Sequence, residues 1–175
     1  MIWHFAPFAG IDALIKDGLV TAESRTPMVS SDAVVEVRAG APKPNIATVD
    51  AFKQSFLNAK SIAYLPISRV PELIEQLGLT EALKSKTVIP NADIVSELVA
   101  KGEVEFGIIV VTQIMTTPGV QLVGPLPAEI RITSRFAGAI ASKTKSAKAA
   151  GDLIGFLKTS RAVKVMRAQG MEPLF

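Results

Sequence analysis

The stretch SIAYLPISRVPELIEQLGLTEALKSKTVIPNADIVSELVAKGEVEFGIIVV, residues 61–111, decides the fold. Short apolar runs at 61–64, 87–90 and 106–111 alternate with helical patterns that close on Gly78 and Gly102. Strand, helix, strand, helix, strand in one stretch is a parallel α/β arrangement. Pro71 sits in the first turn of the helix over 70–77, Thr80 caps a short second helix, and Asp93 caps the helix over 94–101. The run 106–111 is apolar throughout, the pattern of a strand covered on both faces.

Outward from this stretch the punctuation stays legible. On its N-terminal side Thr48 caps a helix that carries Phe52 and Phe56 at i, i+4, and 33–38 alternates as a strand. A strand at 2–5 and a helix over 11–16, closed by Gly18, open the chain. On the C-terminal side 130–141 reads as extended, followed by two helices capped by Ser146 and Ser160. Two proline-rich joints, at 40–45 and 124–127, bracket an α/β lobe assigned to 45–125. They leave 1–44 and 126–175 to form an incomplete first lobe with hinge strands, the connectivity of a two-lobed clamp.

Composition narrows the chemistry. The chain has 175 residues, 49% of them apolar, with mean hydropathy +0.36, which excludes disorder. It has no cysteine, which removes disulfides, thiolate nucleophiles and thiolate metal sites. The single histidine, His4, leaves catalytic triads and multi-histidine metal sites without an imidazole. No GxGxxG, GxxxxGK[ST] or HExxH pattern occurs, so no enzyme, cofactor or metal is expected. No apolar run approaches the eighteen residues that a membrane helix needs. The opening residues 1–7 lack a basic n-region, which places the chain as written in the cytoplasm, or in the periplasm if the true start lies upstream. Net charge is +3, but within 143–167 seven basic residues face one acid, Asp152. Such a patch could steer anions, nucleic acid or an acidic partner surface, but with no aromatic residues interleaved among the charges a solvated helical face is the plainer reading.

Five ordered segments carry a resemblance. VRAGAPKPNI (37–46), AKSIAY (59–64), ELVAKGEVEFGI (97–108), PGVQLVGPLP (118–127) and RAQGMEP (167–173) resemble the molybdate-type solute-binding proteins of ABC importers. The resemblance implies a type 2 periplasmic-binding-protein fold, with one intact α/β lobe and an incomplete one joined by hinge strands. It implies capture of a small anion such as an oxyanion, and an ABC permease as partner. Against that family the chain opens late in the first lobe, so binding is expected to be impaired. Strands 2–5 and 130–141 are expected to lack sheet neighbours, with a homo-oligomer covering them.

Open α/β sheets bind ligands beyond the carboxyl ends of their strands. Tyr64, at the end of the 61–64 strand, and Ser68 with Arg69 ahead of the next helix are candidate ligand residues on that ground. Thr112 and Gln113 follow the 106–111 strand, where the family it resembles has a residue facing the cleft. Each has a plainer reading: a Tyr with its ring buried and its hydroxyl outside, an ST turn, a turn-forming pair. The alternative function is a non-transport interaction module that docks a protein or nucleic acid through an exposed lobe edge or the basic C-terminal helices.

Overall fold

Alternation, caps and glycines set the elements in chain order. The computed structural model describes residues 2–90 and 94–175, so Asp93, expected as a helix cap, lies outside the described residues. Strand β1, Trp3–Pro7, hands over to helix α1, Phe8–Lys16, after which Gly18 takes the left-handed conformation that only glycine adopts freely (φ 67°). Strand β2 is Thr26–Arg38, and α2, Val49–Asn58, begins where Thr48 Oγ1 accepts the Ala51 amide at 3.2 Å. Then follow β3 (Ile62–Tyr64), α3 (Val70–Gln76), α4 (Thr80–Lys84) and β4 (Thr87–Val88). Next are α5 (Val95–Lys101), β5 (Phe106–Val110) and the single turn α6 (Val111–Ile114). Strands β6 (Val120–Pro125) and β7 (Thr133–Ile140), helices α7 (Ala147–Leu157) and α8 (Ser160–Ala168), and strand β8 (Met171–Pro173) complete the chain.

Departures from the sequence expectations have local causes. Strand β2 starts seven residues before the expected 33–38, and part of the added length is held by distant chain: Val29–Ser31 pair with Met171–Pro173. The apolar run 106–111 stops being strand at Val110, because Val111 opens α6. Thr80 and Ser160 are first helical residues; Leu79 and Thr159 hold the cap positions, and Thr159 Oγ1 accepts the Ala162 amide at 3.4 Å. Ser146 does stand at the cap of α7 but makes no side-chain cap bond. The terminal strands are not left without neighbours: β1 and β7 pair antiparallel, from Trp3 opposite Ile140 to Pro7 opposite Phe136.

The chain divides into two compact units, residues 1–31 with 134–175, and residues 32–133. In the first, Met28, Val29, Ile154, Ala162 and Met166 form one buried cluster, and Ile11, Val20, Ala137 and Ala139 form another. The second contains both proline-rich joints. Its sheet pairs β2 antiparallel with β5 and β6, while β3 runs parallel to β5 on one side and to β4 on the other. Both faces of this sheet are covered. Val35, Val37, Ile62 and Ile108 pack with Phe52 and Phe56 of α2, whose rings stack at 4.2 Å. On the other face Val34, Ala63 and Ile109 meet Val95 and Val99 of α5. That is why β5 reads as a continuous apolar run. Among the described residues no helix is long and apolar enough to cross a membrane.

Candidate functional site

Because β3 and β5 are parallel neighbours, with Tyr64 opposite Ile108, their carboxyl ends open on the same edge of the second unit's sheet. The segment after β3 and helix α6 after β5 therefore share that edge, where open α/β sheets take their ligands. Tyr64 ends β3 with its side chain nearly buried; burial pushes its phenol pKa up, and a hydrogen bond with Thr87 opposes the shift. Ser68 Oγ donates to the Leu65 carbonyl at 2.6 Å and accepts the Val70 amide at 3.3 Å, so this hydroxyl closes the turn that starts α3. Next to it the Arg69 guanidinium stands exposed, 3.9 Å from the Glu72 carboxylate.

Thr112 and Gln113 occupy α6. The Gln113 carbonyl accepts the hydroxyls of Thr116 at 3.0 Å and Thr117 at 2.9 Å, which folds the chain back behind the helix. The structure thus brings Ser68 and Arg69 together on one turn and Thr112 and Gln113 together on one helix. Beyond that the candidates separate: Tyr64, Arg69 and Gln113 line three different cavities. Tyr64 belongs to an open groove of about 720 Å³ with Ile74, Leu83 and Thr87, rimmed by Glu75 and Glu81. Arg69 lines a pocket of about 150 Å³ with Glu72, Gln76 and Arg131. Gln113 lines a polar cavity of about 170 Å³ with Ser96, Glu97, Thr116 and Thr117.

Sequence reasoning missed the most perturbed group on this side of the sheet. Glu36, in the middle of β2, is fully buried, and Gly107 of β5 lies directly opposite. A Cβ on Gly107 would stand 2.6 Å from Glu36 Oε1, so the glycine makes the space that the carboxyl fills. Ser96 Oγ lies 2.9 Å from Glu36 Oε1 and 2.9 Å from Oε2. A hydroxyl has one proton to give, so an ionised carboxylate takes the Ser96 proton, whereas a protonated carboxyl can donate to Ser96 Oγ instead. Burial raises the Glu36 pKa from 4.5 to about 7, against the lowering effect of the Ser96 hydrogen bond. Within Val34-Val35-Glu36-Val37-Arg38 the glutamate alternates like a solvent-facing strand position; the available signal was a glycine inside the apolar β5.

In the first unit Lys158, Arg161, Lys164 and Arg167 surround an open groove of about 650 Å³, with Phe175 on its wall. Arg167 pairs with Glu172 at 2.9 Å, Lys158 lies 5.6 Å from the Phe175 ring centroid, and Lys148 pairs with Asp152 at 2.9 Å. Among the described residues no group of three or more His, Asp or Glu is placed to hold a metal ion.

Comparison with known proteins locates this geometry in a family. The model of the bacterial extracellular solute-binding proteins matches residues 2–172. The chain is 31% identical over 172 residues to an aconitate isomerase from a Pseudomonas species, covering 95% of this chain and 65% of that relative. The chain therefore spans less than two thirds of the relative's length. Among solved structures, the periplasmic molybdate-binding protein of Azotobacter vinelandii superposes with TM-score 0.76 at 19% identity, over 97% of this chain and 77% of its own. The tungstate-binding protein TupA from Desulfovibrio alaskensis superposes with TM-score 0.61 at 13% identity, over 99% and 78%. At such identities the likeness establishes the periplasmic-binding-protein fold.

Proposed function

The chain belongs to the bacterial extracellular solute-binding protein family, and from that membership we propose that it captures a small anion for an ABC importer. The observation that carries the proposal is the shared carboxyl edge of β3 and β5, which puts Tyr64 to Arg69 and Thr112 with Gln113 at one edge of the sheet. Two groups there are donors suited to an anion, the Arg69 guanidinium and the Gln113 carboxamide, in separate cavities of that edge. Ser68 contributes by holding the turn, since its proton is spent on Leu65. The partner on this reading is a membrane permease that receives the anion.

The named relatives favour two anion classes. Two structural neighbours are molybdate- and tungstate-binding proteins, which favours a tetrahedral oxyanion. The sequence relative is named for aconitate, a tricarboxylate. Thermal unfolding of the purified protein with millimolar molybdate, tungstate, sulfate, phosphate, cis-aconitate and citrate tests the proposal. A ligand at about 100 times its Kd adds about 2.7 kcal/mol of stability, a rise of roughly 5–11 °C in Tm. A cooperative melt that none of the six anions moves rejects it.

The 31% identity favours a second reading, in which the same site isomerises a bound unsaturated carboxylate. Proton NMR of cis-aconitate incubated with the protein separates the two. Conversion to the trans isomer supports isomerisation, whereas binding without conversion supports capture alone.

A further inference from the structure

Ser96 is shared between two surroundings that are otherwise separate. Its hydroxyl touches both oxygens of the buried Glu36, and the same residue lines the polar cavity that holds Gln113. The other hydroxyls around that cavity have their protons assigned, since Thr116 and Thr117 both donate to the Gln113 carbonyl. Glu97 can only accept while ionised. Beside the Gln113 carboxamide, the donor that the cavity can gain or lose is the Ser96 hydroxyl, and Glu36 decides which way its proton points.

We infer that Glu36 is a positioning residue whose proton sets the polarity of Ser96, so that the cavity receives an anion while the carboxyl is protonated and rejects it once the carboxyl ionises. Protonated, Glu36 donates to Ser96 Oγ and releases the Ser96 proton to be given to the cavity. Ionised, it claims that proton and leaves lone pairs facing the anion. The inference rests on the anion-capture reading and adds a proton linkage to it.

The surroundings of Glu36 leave the control to this pair. Helix α5 contributes Ser96 and the apolar Val95 and Val99; Glu97 beside them is exposed. Strand β5 contributes Gly107, and β6 has Leu122 opposite. Arg38, two residues along β2, reaches toward Gly102 at the far end of α5. Burial places the Glu36 transition at about 7, where a change in protonation is reached without extreme pH. The chain's one histidine, His4, lies on β1 in the other unit.

Calorimetric titration of the full chain with molybdate and with cis-aconitate, at about pH 6 and about pH 8 and in buffers of different ionisation enthalpy, tests this. The wild type is expected to take up a proton on binding at the higher pH and to lose affinity by roughly tenfold per pH unit above the transition. Glu36→Gln keeps a donor toward Ser96 and is expected to bind at both pH values with equal affinity and no proton uptake from this site. Ser96→Thr, which keeps the hydroxyl, is expected to retain the pH dependence. If an anion binds and Glu36→Gln shows the same pH dependence as wild type, the proton linkage is wrong while anion capture stands. If neither anion binds at either pH, both fall together.

Discussion

At the residue scale Glu36 couples a proton to stability as well as to the cavity. Its folded pKa of about 7 lies above the ordinary 4.5, so between those values the folded chain holds a proton that the unfolded chain has released. Stability is then full below about pH 4.5, declines as the pH rises, and is lost by about 3 kcal/mol once the pH has passed through 7. Glu36→Gln removes that dependence. Urea unfolding from acid to alkaline pH is expected to show the wild type losing ground to the variant between about pH 4.5 and 7, with the two parallel below and above that range. Gly107 supplies the complementary test, since a Cβ there would meet Glu36 Oε1 at 2.6 Å and its Cγ at 2.8 Å. Gly107→Ala is expected to destabilise by about 1–3 kcal/mol, and much less in a Glu36→Ala background, giving a large coupling in a double-mutant cycle. Of this pair only the glycine inside the apolar β5 was a signal in the sequence, because one glutamate among valines alternates like a surface position and its cover, α5, lies sixty residues away.

At the scale of elements the sequence is more informative, because caps and glycine stops act within a turn. Thr48 was read as a cap and is one; Gly78 and Gly102 were read as stops and adopt φ of 69° and 78°. Thr48→Ala and Thr159→Ala are each expected to cost about 1 kcal/mol in chemical denaturation, while Ser160→Ala costs only a few tenths, since the cap of α8 is Thr159. The reverse order would show that the cap sits one residue later. Elements made by distant partners escaped the local pattern. Strand β8 is three residues long and exists by pairing with Val29–Ser31, and α6 is a single turn that interrupts an apolar run. The same limit applied to the site: the residue types at the carboxyl edge were readable, but that Tyr64, Arg69 and Gln113 line separate cavities depends on how α3, α4 and α5 pack.

At the scale of the whole molecule two observations bear on function, the family match across residues 2–172 and a second unit whose sheet is covered on both faces. The stacked Phe52 and Phe56 anchor that unit, both wholly buried. Phe56→Ala is expected to cost about 3–5 kcal/mol and to abolish any ligand-induced rise in Tm along with the fold of the edge. Solute capture at the carboxyl edge of β3 and β5 is tested most directly by amide hydrogen exchange of the full chain, with and without millimolar molybdate and, separately, cis-aconitate. Slower exchange confined to the segment after Tyr64 and to α6 with the turn behind it is the predicted result. Protection confined to α8 and the basic groove, or no protection with either anion, would contradict it.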